Sequence, residues 1–458
     1  MHIVILGAGQ VGGTLARNLA REDNDITLVD LNEQRLRELQ HRLDIQTVHG
    51  SASHPAVLIN AGIEQADMLI AVTDSDEINM MGCQIAYSLF RTPLKVARIR
   101  SEHYSNYPEL FQNKHVPVDV CICPEKLVTE HIKNLIDYPD ATQVLDFSEG
   151  KVLMVTIKPH AGGTMVGKPL QSFYQHLNAV EVRIVAVFHG DETIEPTDHY
   201  EINVDDLILL VASPESMPQV LIALGRYTHT NRRIMIAGGG HIGTMLAKTL
   251  ENKYRIKVIE NNAARANELA SQLHKGTVLQ GDIADKDLLV NENIEFTDVF
   301  CAVTNDDEAN IMSCLQAKRL GARHVMSLVN RNAYVELIAD SVIDQAISPQ
   351  LITIGSILTK LRGGNMVKIH RLHHDEAEAI ELITHGDSET SQVVGRSLSQ
   401  LELPPGSSIA AVVRGGNMIV ATPQLVLLSG DHVVLLLLKR RYVRQIESLF
   451  QVKLTFMS

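Results

Sequence analysis

The hydrophobic positions of this chain fall into short runs separated by glycine-rich and polar stretches. Ile3 to Leu6 is an apolar, β-branched run ending in Gly7-Ala8-Gly9-Gln10-Val11-Gly12, and Val11 to Leu19 then carries apolar residues at helical spacing. Ile26 to Val29 is the next strand-like run and closes on Asp30; Met68 to Val72 and Val96 to Ile99 are further ones. Short strands alternating with amphipathic helices predict a parallel sheet covered on both faces. After about residue 150 the pattern changes. Residues 151–158, 181–188 and Leu207 to Val211 are strand-like, separated by Gly162-Gly163, Gly167-Lys168-Pro169 and Val204-Asp205-Asp206, which predicts a small α+β module.

The whole succession then recurs. Gly7 to Gly12 returns as Gly238-Gly239-Gly240-His241-Ile242-Gly243, and Ala71 to Asn79 returns as Ala302 to Asn310, both 231 residues on. Cys83 and Ala86 map onto Cys314 and Ala317, Asp119 to Pro124 onto Asp344 to Pro349, and Val166 to Leu170 onto Val394 to Leu398. The predicted fold is α/β and duplicated: a Rossmann-like, doubly wound parallel-sheet domain over residues 1–140, a small α+β module over 141–230, a second Rossmann-like domain over 231–363 and a second module over 364–458. Pro214 to Asn231 holds a helix-like stretch and the polar Thr228-His229-Thr230-Asn231, a linker between the halves.

Length and composition agree with this plan. At about 150 residues per domain, 458 residues allow three or four domains, and the duplication selects four. Hydrophobic residues at 45% and charged residues at 21% describe an ordinary folded chain. Its formal charge of −13 opposes a sequence-independent grip on nucleic acid. The N-terminus lacks the basic region of a secretory signal, and apolar runs such as Val433 to Leu438 fall far short of the ~20 residues of a membrane span. Five cysteines without framework spacing suit a reducing compartment, so a soluble cytoplasmic protein is expected.

A lone G-x-G-x-x-G is common. Here it follows a strand, opens a helix and precedes an acid at a strand end, Asp30, which is the dinucleotide-binding arrangement. Gly7 permits the tight turn, Gly9 lets a pyrophosphate approach, and Gly12 lets helix pack on strand; the first-turn amides then face the phosphates. Asp30 would accept hydrogen bonds from ribose hydroxyls and repel a 2′-phosphate, favouring NAD(H) over NADP(H). The second copy keeps Gly238, Gly240 and Gly243 and places Glu260 at the acid position. The alternative at each cleft is a dinucleotide fold that holds no ligand, and it weighs more on the second. Thr73-Asp74 and Thr304-Asn305 end a strand at the carboxyl edge, where ligands bind in open α/β sheets. Arg98 could reach a phosphate from the same edge, whereas the copy reads Ser327 there and Val329 opposite Arg100, so the two sites should not bind one ligand equally.

Other groups have plainer readings. Gly50-Ser51-Ala52-Ser53 and Gly281-Asp282-Ile283-Ala284 follow the third strand, either near adenosine or as polar turns at a helix start. Asp76-Glu77 and Asp307-Glu308 suit helix capping better than metal binding. Cys121 and Cys123 read as strand core, Met80-Met81 and Ile311-Met312 as helix core, and His370, His373, His374, Asp375 and Glu376 as a solvated loop rather than a cation site. No metal site is expected. Neither small module offers a paired-carboxylate, Ser/His/Asp or Cys/His set present in both copies, so no catalytic residue is assigned; the enzymatic alternative is an NAD-dependent oxidoreductase with an unrecognised substrate domain, and a third reading is a nucleotide sensor without a channel partner.

The duplicated plan, the GAGQVGG loop with Asp30, the Thr73-to-Asn79 and Thr304-to-Asn310 segments and the Gly167-Lys168-Pro169-Leu170 start of the small modules resemble the RCK/KTN family over essentially residues 1 to 450. The resemblance implies RCK N-domains each followed by an RCK C-domain, in a homotetrameric ring beneath a dimeric membrane potassium channel subunit of the TrkH/TrkG type, peripheral to the inner face of the plasma membrane. It implies a non-enzymatic regulator that binds NAD(H) and ATP/ADP and gates potassium entry. Carried over residue by residue, the first site uses Gly7, Ala8, Gly9, Gln10, Val11, Asp30, Thr73, Asp74 and Arg98; the second uses Gly238, Gly239, Gly240, His241, Ile242, Glu260, Thr304 and Asn305. The family often carries Gly-Asp after the third strand, and Ser51 departs from it in the first copy.

Overall fold

The β-branched run at the N-terminus becomes the centre of a six-stranded parallel sheet. Strands β1 (His2–Leu6), β2 (Asp25–Asp30), β3 (Gln46–His49), β4 (Met68–Ala71), β5 (Leu94–Arg98) and β6 (Val120–Ile122) lie in the order β3-β2-β1-β4-β5-β6. Helices α1 (Gln10–Ala20), α2 (Glu33–Gln40), α3 (Pro55–Asn60), α4 (Asp76–Phe90), α5 (Glu102–Ser105) and α6 (Pro124–Asp137) join them. The strand order reverses between β1 and β4, which opens a crevice at their carboxyl ends. The structure is a computed structural model and describes residues 1–20, 24–138, 141–177, 180–190, 192–194, 196–225, 233–338, 341–361, 366–372 and 377–452. The chain divides into two units: Met1–Thr129 with Val329–Asn332 and Ser348–Ile357, and Glu130–Leu328 with Ala333–Ile347 and Leu358–Ser458.

The second unit begins with an antiparallel sheet of β7 (Ala141–Phe147), β8 (Val152–Ile157), β9 (Val182–His189), β10 (Glu192–Ile194) and β11 (Leu207–Ala212), ordered β10-β9-β11-β8-β7, with α7 (Leu170–His176) and α8 (Met217–Ala223). A second parallel sheet follows, made of β12 (Arg233–Ala237), β13 (Arg255–Glu260), β14 (Thr277–Gln280), β15 (Val299–Ala302), β16 (His324–Leu328) and β17 (Gln345–Ile347). Its order, β14-β13-β12-β15-β16-β17, repeats the first, and its helices are α9 (His241–Leu250), α10 (Ala263–Gln272), α11 (Lys286–Asn291), α12 (Asp307–Arg319), α13 (Asn332–Ile338) and α14 (Pro349–Leu361). Strands β18 (Met366–Arg371), β19 (Glu378–Ile383), β20 (Ser407–Arg414), β21 (Asn417–Val420) and β22 (His432–Leu437) make the last antiparallel sheet, ordered β18-β19-β22-β20-β21, before α15 (Val443–Phe450). Among the described residues no helix is long and apolar enough to cross a membrane.

Two features tie the duplicated pieces together. Helices α6 and α14 both open on proline, whose missing N–H costs nothing in a first helical turn, and each is divided between the units. Residues 348–357 belong to the first unit, where Gln350 Nε2 donates to the Gln10 carbonyl at 2.9 Å and to Thr14 Oγ1. The end of α6 belongs to the second unit, where Asp137 accepts from Lys253 Nζ at 2.5 Å and from the Tyr254 hydroxyl. Within the second unit the two antiparallel sheets share one core: Phe147, Met154 and Leu209 of one pack with Ala379, Val434 and Leu436 of the other. Glu381 is fully buried in this seam and accepts from the Ser148 N–H at 3.0 Å and the Ser148 hydroxyl at 2.9 Å, with His432 Nδ1 at 2.7 Å. A buried carboxylate is tolerable because these partners satisfy it.

Several plain readings change here. Cys121 is exposed on the edge strand β6, although Val118 and Ile122 beside it are buried, because alternate residues of a strand face opposite ways. Met81 and Met312 are exposed, lying on the outer faces of α4 and α12. His370 lies on β18, edge-on to the Phe147 ring at 5.2 Å, and not in a solvated loop; His373 to Glu376 fall outside the described residues. Among the described residues, no three His, Cys, Asp or Glu side chains are placed to hold a metal ion.

His131 on α6 and His370 both sit where burial disfavours the imidazolium, and each is pushed down to about 4; Lys368 adds to the effect at His370, while Asp146 and Glu381 oppose it. Both rings thus fold neutral, and in the unfolded chain they take up protons from about pH 6.5 downward. Their contribution to stability is complete above that value and is lost as pH falls toward 4. The thermal midpoint of the full chain is expected to drop between pH 7 and pH 5, and His370→Gln to reduce that drop; an unchanged pH slope in the variant would contradict the assignment.

Candidate functional site

The two glycine loops are set by contacts that leave no room for a side chain. Gly7 has φ +102°, a left-handed backbone that favours glycine, and donates its N–H to the Val29 carbonyl at 2.8 Å. A Cβ on Gly12 would stand 1.8 Å from the Gly7 carbonyl oxygen, so α1 starts against β1 only with glycine at that place. The second loop repeats the arrangement: Gly238 has φ +113°, and a Cβ on Gly243 would lie 1.9 Å from the Gly238 carbonyl oxygen. Gly9 and Gly240 behave differently. A Cβ on either would meet no atom within 4 Å, so packing does not demand glycine, and the space over them is open. The first helical bonds run from Gly13 to Gly9 and from Thr244 to Gly240, so the amides of Gln10 and Val11, and of His241 and Ile242, have no partner within their helices. Open space above unpaired amides at a helix N-terminus is a cradle that fits a diphosphate.

The strand-end acids close these loops. Asp30 accepts from the Ala8 N–H at 2.5 Å and the Asn32 N–H at 2.7 Å, one bond to each oxygen. Glu260 does the same with Gly239 at 2.8 Å and Asn262 at 2.9 Å. Each oxygen keeps a second lone pair, so the acid organises the turn and retains the capacity to accept from a ligand hydroxyl. The longer acid sits against the smaller residue: a Cβ on Gly239 would come within 2.9 Å of Glu260 Oε2, a place that Ala8 fills opposite the shorter Asp30.

At the far side of the crevice, sequence reasoning missed the residue that matters most. Asn79 Oδ1 accepts from the Thr73 N–H at 2.9 Å and its hydroxyl at 2.7 Å, while Asn79 Nδ2 donates to the Thr73 carbonyl at 3.3 Å and the Arg98 carbonyl at 2.9 Å. Asn310 makes the same four bonds to Thr304 and to the Leu328 carbonyl. One amide thus staples the ends of β4 and β5, and another those of β15 and β16. The signal was present, since asparagine stands at both matched positions of the repeat. Thr73 and Thr304 are therefore anchored by their hydroxyls, whereas Asp74 and Asn305 are exposed beside them.

The expected capping role of the acids also moves. The N-caps are Ser75 and Asp306, which accept from Ile78 and Ala309, and Asp76 instead accepts from the backbone N–H groups of Arg100 and Ser101. The backbone N–H of Glu77, then the Ser75 hydroxyl, then the Tyr104 hydroxyl at 2.9 Å hold the Glu77 carboxyl below the usual range. After β3 the helix N-cap is His54, whose side chain makes no capping bond, and after β14 Asp285 caps the helix by accepting from the Asp287 and Leu288 N–H groups. Arg98 ends β5, half-buried, with its Nε unpartnered, and burial followed by the neighbouring Arg100 holds its guanidinium below its ordinary value. Arg100 itself is committed to Glu125 at 2.7 Å. Strand register matches Arg98 to Leu328, buried at 3% exposure, and not to Ser327: Ala71 pairs with Ala97 in the first sheet as Ala302 pairs with Ser327 in the second. The whole segment joining β15 to β16 is one residue shorter than that joining β4 to β5, so the offset between the copies changes between these strands. The first crevice thus offers a cradle and a free guanidinium, whereas the second has a cradle and, at the matched strand end, the buried Leu328.

The chain matches the TrkA-N domain model over residues 3–124 and 234–349 and the TrkA-C domain model over 154–224 and 388–451. The Trk system potassium uptake protein TrkA of Halomonas elongata is 49% identical over 456 residues, spanning 100% of both chains. That of Vibrio alginolyticus is 49% identical, covering 98% of this chain and 99% of the relative. Among solved structures, the GsuK RCK domain aligns with a TM-score of 0.61 at 18% identity over 98% of this chain and 94% of that one. The GsuK channel bound to NAD aligns at 0.62 and 17% identity, over 98% and 78%. At that identity the likeness is one of fold.

The glycines divide into two kinds with separable effects. Gly12→Ala is expected to lower stability by roughly 1–3 kcal/mol through overpacking, read by denaturant melts. Gly9→Ala is expected to stay within about 1 kcal/mol of the parent while weakening nucleotide binding; equal stability losses in both would contradict the division.

Proposed function

The chain belongs to the TrkA family, and from that premise we propose that it is the nucleotide-binding regulatory subunit of a potassium uptake system, controlling ion flow through an integral membrane channel subunit of the TrkH/TrkG type. It works as a homotetramer at the inner face of the plasma membrane, and by binding rather than catalysis. NAD(H) and the adenine nucleotides ATP and ADP are its ligands. In the first crevice Gly7, Ala8, Gly9, Gln10, Val11 and Gly12 cradle the phosphates, Asp30 takes the ribose hydroxyls, and Thr73, Asp74 and Arg98 close the opposite side. Gly238, Gly239, Gly240, His241, Ile242, Gly243, Glu260, Thr304 and Asn305 form the second.

The observation that carries this reading is divergence on an identical frame. The three loop glycines and the asparagine staples recur in both copies, but the first carries Arg98, its Nε unpartnered, where the second carries the buried Leu328. Two sites of unequal preference let two ligands pull one conformational equilibrium in different directions, provided each binds the two states unequally. A route for the pull starts at Gln10: its amide faces the cradle, and its carbonyl holds Gln350 of α14. A ligand that shifts Gln10 therefore shifts the contact that anchors residues from the second half of the sequence.

Potassium flux through the reconstituted channel, with and without this protein and with NADH, NAD+, ATP and ADP titrated separately, tests the proposal. At least one nucleotide is expected to change the flux, and Arg98→Ala to weaken nucleotide binding to the first crevice about tenfold, the effect of one lost charge-assisted contact. Flux indifferent to all four would overturn the gating role; unchanged NAD(H) affinity in Asp30→Ala would remove the ribose argument.

A further inference from the structure

The opposite edge of the second parallel sheet, away from its glycine loop, carries a cavity of about 970 Å³. Five cations line it, Arg233, Lys253, Arg255, Lys257 and Lys275, against the carboxylates of Glu251 and Glu292. The carboxylates are already engaged. Glu292 pairs with Lys257 at 2.7 Å, and Glu251 Oε2 accepts from the backbone N–H groups of His274, Lys275 and Gly276. Lys253 is held by Asp137. Arg233 lies over the exposed Phe296 ring at 5.8 Å, and among the described residues no acid pairs with its guanidinium, with that of Arg255 or with the Lys275 ammonium.

The fold does not ask for these charges. Arg233 and Arg255 are the first residues of β12 and β13 and stand directly opposite each other in register, a like-charge pair that costs stability. The first copy shows the alternative on the same frame: there the matched pair is His2 and Asp25, Thr27 stands where Lys257 does, and Asp44 lies two residues before β3 as Lys275 lies two before β14. Four positions that are basic in one copy are acidic or neutral in the other. In a chain of net charge −13, such a basin concentrates anions locally. Arginine at two of the positions supplies planar, multidentate donors suited to phosphate oxygens, and three unpaired cations within one cavity match a ligand of several negative charges.

We propose that this cavity binds a phosphate-bearing polyanion through Arg233, Arg255 and Lys275, at a site separate from both glycine-loop crevices. The shared chemistry is that of a polyphosphate group, carried by a free molecule or by a lipid headgroup. Titration of the full-length chain with inorganic tripolyphosphate, followed calorimetrically, tests it with Arg255→Asp, which installs the residue that the first copy carries at the matched strand position. The variant is expected to lose one equivalent of tripolyphosphate per chain, or to bind it at least tenfold more weakly, with NADH binding unchanged. Cosedimentation with phosphatidylglycerol vesicles forms the second arm. Arg255-dependent sedimentation without tripolyphosphate binding assigns the site to a headgroup. If neither tripolyphosphate nor vesicle binding responds to Arg255→Asp, the proposal falls. Should that variant fail to fold, Lys275→Gln, a change at an exposed side chain, must weaken one of the two at least threefold, or the proposal falls equally.

Discussion

A single oxygen, the carbonyl of Gly7, determines how near α1 comes to β1. With no Cβ on Gly12 the helix start settles against it, and the free amides of the first turn are then aimed over the strand ends instead of into solvent. Asp30 fixes the loop from the other side by holding Ala8, and Asn79 fixes the facing strand ends by holding Thr73. Remove the close approach and the remaining hydrogen bonds have nothing to align. The second copy obeys the same constraint at Gly238 and Gly243, which is why its crevice has the same shape although its chemistry has drifted.

Duplication separates what the frame requires from what is free to vary. Where packing rules, the copies agree or compensate: Gly7 with Gly238, Asn79 with Asn310, and the longer Glu260 against Gly239 where Asp30 faces Ala8. Where packing is indifferent they part, as at Asp25 and Arg255, each exposed at the first residue of a strand. A side chain that differs between copies while its backbone contacts persist is under no obligation to the fold, so its chemistry can serve a ligand.

The parallel sheets were legible in the sequence because β-branched runs, glycines and strand-end acids recur in a fixed order, and the repeat doubled every signal. Less legible was whatever depends on partners far along the chain. Strand β7 escaped notice, its apolar residues Val144, Leu145 and Phe147 interrupted by polar ones that face the other way. His370 read as a loop residue because the ring it packs on, Phe147, lies more than 200 positions earlier. Arg98 was matched to Ser327 because a one-residue difference in the segment between the two strands does not disturb the apolar pattern, whereas strand register exposes it at once. The asparagine staples stood in plain view in both copies, but their meaning required knowing that β4 and β5 are neighbours.

The divided helix α14 bears on how the protein is made. Gln350 closes on Gln10 and Thr14 across 340 and 336 positions of sequence. On a ribosome the first sheet emerges early, yet the helical segment that completes its unit arrives only after three quarters of the chain has been translated. Contacts of such sequence separation form slowly because a long loop must close before they give any return. The first unit therefore passes much of synthesis with Gln10 and Thr14 not yet joined by Gln350, a period in which a chaperone or a neighbouring nascent chain meets a part of α1 that the finished protein partly covers.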